Sequence, residues 1–105
     1  MATRKPKSVK TRPFDPAEYL DSDEAIAAYL QDALEEGDPA EIAEALGVVA
    51  RARGMTKIAE QTGRGRESLY KALSASGNPE FATVLAVIRA LGLRLLVEPA
   101  IEKSA

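Results

Sequence analysis

The chain has 105 residues, 46% of them hydrophobic, with a formal net charge of −2 and neither cysteine nor histidine. That length suits one core with tails, and the two missing residue types remove disulfides, thiol nucleophiles, Cys/His zinc sites and every Ser-His or Cys-His catalytic arrangement. No apolar run approaches the roughly 20 residues that span a bilayer, and the basic start MATRKPKSVKTR has no apolar stretch behind it, so a soluble cytoplasmic protein without cofactor or metal is expected.

The small net charge hides a strong division. Residues 1–12 carry +5 and residues 13–47 carry −11 without one basic group, whereas residues 48–77 carry +4 and residues 78–105 are balanced. Such asymmetry points to two different partners, or, for the acidic part, to nothing more than a solvated helix face.

Residues 1–13, with Pro6 and Pro13, have too little apolar surface to fold alone and predict a disordered arm, either lying against DNA or serving as a solubilising tail. Phe14 to Leu20 reads as an extended or turn segment. Asp21, with Glu24 three residues on, predicts a capping box for a helix running to Glu36 and stopped by Gly37. Ile26, Tyr29, Leu30 and Ala33 form an apolar stripe on this acidic cylinder. Asp38-Pro39 opens the next helix, which presents Ile42, Ala45, Leu46 and Val49 on one face and closes at Gly54.

Met55 to Ser74, MTKIAEQTGRGRESLYKALS, has the marks of a helix-turn-helix. Ala59 is small where two helix backbones approach, Gly63 takes the turn position near the left-handed region, and Leu69 closes the pair with Ile58, Ala72 and Leu73. Arg64, Arg66, Glu67, Ser68, Tyr70, Lys71 and Ser74 then face outward, types that reach phosphates and base edges in a major groove; Lys57 joins them as a phosphate contact. The plain alternative is an αα-hairpin with a glycine turn. Beyond the turn-forming Ser76 to Pro79, Phe81, Val84, Leu85, Ile88 and Leu91 predict a final core helix up to Gly92. Leu93 to Glu98 alternates and ends at Pro99, predicting a short strand that pairs through Leu93, Leu95 and Val97 with a second copy or another protein; its alternative is a coil on the core.

With these residues laid out, the chain resembles the phage-repressor-like helix-turn-helix family and, within it, the HigA-type antidotes of toxin–antitoxin modules. The resemblance runs from about Phe14 to Pro99 and rests on the block from Phe14 to Leu20, the run Leu69 to Ser74, and the block Gly77 to Thr83 leading into Leu91-Gly92-Leu93. It implies an all-α fold, a repressor-like bundle of about five helices ending in a short C-terminal β-strand, in one domain over residues 14–99 with a flexible tail at 100–105. It also implies a homodimer that binds double-stranded operator DNA, represses its own operon and masks a RelE/ParE-like toxin. Tyr19, Asp23, Ile26, Tyr29 and Leu30 are then the candidates for holding the toxin. Arg64-Gly65 departs from the repressor pattern, where an apolar residue precedes a serine or threonine cap. The alternative function is a stand-alone transcriptional regulator without a toxin. Catalysis is not expected, since acids on a solvated helix face need no such role and no phosphate-binding G-x4-G-K-[ST] occurs.

Overall fold

A computed structural model describes residues 15–101, and among them the chain forms one 3-10 helix and five α-helices. The expected basic arm over residues 1–13, Phe14 and the last four residues of the tail lie outside the described residues.

Pro16–Tyr19 is the 3-10 helix, where a turn or extended segment was expected; Asp15 caps it by accepting the Ala17 amide at 3.1 Å. Helix α1 is Asp23–Glu36. Its cap is Ser22 rather than Asp21, with Oγ accepting the Ala25 amide at 3.1 Å, so the capping box is not made. Both residues are good caps by type, and an extended backbone at Ser22 (φ −142°, ψ 159°) selects the later one. Ser22→Ala is expected to cost about 1 kcal/mol, read from the midpoint of urea unfolding.

Helix α2, Pro39–Arg53, is the element around which the others assemble, touching the 3-10 helix and all four other α-helices. Asp38 caps it through the Ala40 amide at 3.1 Å. One apolar face was expected, but Ala45, Leu46, Gly47, Val48, Val49 and Ala50 are consecutively buried. Over residues 45–50 the helix is buried all round and must be slim where neighbours cross it, which explains the alanines and glycine there.

Gly54 (φ 116°) ends α2 and leads directly into α3, Met55–Thr62; α4 is Arg66–Ala72 and α5 is Phe81–Ala90. Ile26 and Leu30 of α1, Leu46 and Val49 of α2, Ile58 of α3, Leu69 of α4, and Val87 and Ile88 of α5 meet in one core with Leu73 and Leu91. Removing each such side chain from water contributes roughly 1.5–3 kcal/mol. In α5 the buried face is set by Val87, Ile88 and Leu91, whereas Phe81 at the first turn is 65% exposed.

The all-helical expectation holds, but the C-terminal strand is corrected. Leu93 to Glu98 has no regular secondary structure, and no strand occurs among the described residues. Leu93 packs on the core, after which Leu95, Leu96 and Val97 are all exposed, Val97 at 96%. The physical reason is that, among the described residues, a lone extended segment has no edge to supply its missing hydrogen bonds.

Candidate functional site

Two surfaces stand out, one basic and one acidic. The first is built by α3 and α4, two short helices joined by Gly63-Arg64-Gly65. Gly63 adopts φ 70° and ψ 20°, its amide closes on the Ala59 carbonyl, and the Arg64 amide reaches the same carbonyl at 3.1 Å. A left-handed residue here lets the chain reverse within one turn, and glycine takes that conformation without strain. Ile58, Ala59, Leu69 and Leu73 are buried, closing the pair from inside, while Ala72 is half-buried.

The outward residues are not equivalent. Arg66, Glu67, Ser68, Tyr70 and Lys71 are exposed along α4, and Lys57 is exposed on α3. The Arg66 guanidinium lies over the Tyr70 ring, 5.7 Å from its centroid, an i,i+4 cation–π contact that restrains a long side chain. Arg64 folds back, donating through Nη1 to the Thr62 carbonyl at 3.1 Å, and Ser74 donates to the Lys71 carbonyl at 2.8 Å. Those two candidates serve the turn and the end of α4. Gly65, at the α4 N-cap, offers no side-chain acceptor, yet its backbone (φ −73°, ψ 146°) suits any residue and a Cβ there meets nothing within 4 Å. Gly65→Ser is therefore expected to stabilise the protein by a few tenths of a kcal/mol, measured as a rise in the unfolding midpoint.

Arg51 and Arg53, counted in the basic stretch by sequence, are committed elsewhere. Arg51 Nη2 donates to Asp15 Oδ1 at 2.8 Å, and Arg53 pairs with Asp23. These contacts tie the 3-10 helix and the start of α1 to the end of α2. They also place the toxin-facing candidates: Asp23 is paired with Arg53, Ile26 and Leu30 are core, Tyr29 is half-buried and Tyr19 is exposed.

The second surface was not assembled from sequence. A cleft of about 1000 Å³ lies between the 3-10 helix, α1, α2 and the end of α4. Ala33, Ala45, Val48 and Leu73 supply apolar wall, Tyr29 and Tyr70 contribute rings, and Asp15, Glu18, Asp32, Glu36, Glu41 and Glu44 bring carboxylates. Its signal was present as charge periodicity: Asp32 and Glu36 stand one turn apart on α1, and Glu41, Glu44, Ala45 and Val48 follow i, i+3, i+4, i+7 on α2. Among the described residues no group of His, Cys, Asp and Glu has the arrangement of a metal site, and no helix is long and apolar enough to cross a membrane.

The sequence profile of the family described as "Probable addiction module antidote protein" matches residues 10–99. The chain belongs to that family. An uncharacterised protein of Haemophilus influenzae is 52% identical over 85 residues, which is 81% of this chain and 88% of that protein. No solved structure matches the chain. An antidote of an addiction module implies a toxin as partner and a regulatory rather than catalytic role, and the match takes in both the acidic cleft and the α3–α4 pair.

Proposed function

We propose that this antidote is of HigA type, a homodimer that represses its own operon through α3 and α4, used as a phage-repressor-like helix-turn-helix, and neutralises a RelE/ParE-like toxin by direct binding. The observation that carries the DNA reading is the α3–Gly63–α4 pair, apolar inside and presenting Arg66, Tyr70 and Lys71 outside. Seven residues of α4 amount to roughly 10 Å of helix. That length covers one half-site, so two copies on a palindromic operator, about one helical turn apart, are needed for specificity. Arg66 is assigned to a guanine edge, Tyr70 to a phosphate or a thymine methyl, and Lys57 and Lys71 to phosphates. The exposed Leu95, Leu96 and Val97 are apolar surface left for the second copy.

The acidic side, residues 13–47 at −11, supports a basic toxin as the second partner. One observation favours the alternative of a regulator without a toxin: Ile26, Leu30 and Asp23 are already used by the core and by Arg53. The experiment that separates the readings is co-purification with the product of the adjacent gene, followed by mobility shift of their joint promoter. A stable complex that shifts the promoter is expected. Promoter binding without a partner would leave the stand-alone regulator, and loss of both would remove the proposal.

A further inference from the structure

We infer that the acidic cleft seats the chain's own N-terminal basic segment, residues 1–14, so that the protein carries a tethered occupant of its acidic face. This goes beyond the function proposed above and needs neither toxin nor DNA to be true. Four carboxylates make the argument: Asp32 and Glu36 on α1, and Glu41 and Glu44 on α2. Among the described residues no cation pairs with any of them, because the two ion pairs there use Asp15 and Asp23. Like charges lining one concavity repel each other, and a polycation relieves that repulsion.

The cleft is more than a cluster of acids. Tyr29, Ala33 and Val48 give it apolar wall beneath the carboxylates, a combination that suits lysine and arginine, whose aliphatic stems lie on apolar surface while their charged ends reach outward. The Arg51 guanidinium on the Asp15 carboxylate, 2.8 Å apart, shows the same kind of pair already made at one edge.

Three facts favour this chain's own segment as the occupant. Its charge is +5 with no acid, from Arg4, Lys5, Lys7, Lys10 and Arg12, complementary to the carboxylates it would meet. It joins the described residues at Asp15, which is itself part of the cleft wall, so its entry point is fixed. Its fourteen residues reach at most about 50 Å when extended, ample for a cleft of about 1000 Å³. Tethering also sets an effective concentration near millimolar, enough to hold contacts that are individually weak. Because Tyr70 and Ser74 line the same cleft, a segment seated there lies beside α4, and a basic partner that displaced it would release five positive charges next to that helix.

The absence of cysteine makes the test direct, since Ser8→Cys gives a single attachment point for a nitroxide on the full chain. Broadening of the Tyr29, Ala33, Ala45 and Val48 amide signals is expected at low salt, and its loss is expected at high salt. The same loss is expected when Asp32→Asn, Glu36→Gln, Glu41→Gln and Glu44→Gln are combined, a variant whose fold the amide spectrum itself checks. Broadening confined to residues next to the tether, centred on α4, or unaltered in the combined variant would overturn the inference. So would broadening that appears only when spin-labelled chain is mixed with unlabelled isotope-enriched chain, which would assign the cleft to another copy's segment.

Discussion

Replacing Gly47 with alanine is expected to destabilise the protein by about 2 kcal/mol, lowering Tm by roughly 10 °C, even though alanine is the better helix former. Gly47 lies in the middle of α2, where the substitution would ordinarily gain about 1 kcal/mol from propensity. A Cβ at this position, however, meets the Leu73 carbonyl oxygen at 2.2 Å and its carbon at 3.3 Å. Overpacking of that kind costs about 1–3 kcal/mol, and the obstacle here is backbone rather than the end of a flexible side chain, so the upper figure applies. Leu73 cannot move aside cheaply: it is buried, and its amide bonds the Leu69 carbonyl at 2.8 Å to close α4. The two terms have opposite signs and the clash wins. Urea unfolding of Gly47→Ala beside Gly65→Ser checks this, because the two are expected to change stability in opposite directions; a Gly47→Ala protein as stable as the parent would mean that α2 and α4 do not approach as described. Relief of the clash pushes α4 away from α2, so the same substitution should also disturb the surface that carries Arg66.

The contrast between glycines shows what a sequence can and cannot say. Gly37, Gly54, Gly63 and Gly92 all have positive φ, each stands beside a helix end, and each was placed there from punctuation alone. Gly47 carries no such local mark, because its reason is a carbonyl twenty-six residues away. The all-round burial of residues 45–50 in α2 does not show in the sequence for the same reason: periodicity reports which face is apolar, whereas small residues on the other faces signify contact only once neighbours are known. The C-terminal segment failed in the opposite way. Alternation at Leu93, Leu95 and Val97 is a correct local description of a strand former, but a strand is a property of two segments and the described residues supply one.

Within the candidate sites, the outward set on α4 followed from helix period, whereas the Arg66–Tyr70 contact, though its i,i+4 spacing stands in the sequence, emerges only from the structure. What could not be read were commitments made across the fold. Arg51 and Arg53 raised the local positive charge on paper yet are bound by Asp15 and Asp23, and Arg64 is drawn back to Thr62. The basic surface is therefore narrower than the residue count implied, resting on Lys57, Arg66 and Lys71, and this concentrates the DNA reading on few side chains. The acidic side changed in the reverse sense: carboxylates scattered over three elements became neighbours around one cleft.

Loss of Arg66 is accordingly expected to have the largest effect on operator binding. Arg66→Ala should weaken it by roughly 1–3 kcal/mol, about five- to 150-fold, and relax discrimination at one base pair. The position is the first of α4, which on the proposed helix-turn-helix reading meets base edges, and the Tyr70 ring restrains the guanidinium in the free protein. Restraint by the ring lowers the ordering cost of a side chain that otherwise loses about 2 kcal/mol of rotamer freedom. Tyr70→Ala should thus weaken binding even where the tyrosine makes no base contact, by about 0.5–1 kcal/mol, whereas Tyr70→Phe keeps the ring and most of the effect. Arg66→Lys should not rescue, since an ammonium lacks the planar fork for a bidentate contact. Lys57→Ala and Lys71→Ala should instead weaken all sequences alike and each reduce the slope of log affinity against log salt by about 1. Anisotropy titrations against the operator and a set of single-base variants distinguish the two patterns. An Arg66→Ala protein that ranks those variants as the parent does would move base reading elsewhere on α4, to Glu67 or Ser68, which share its exposed first turn.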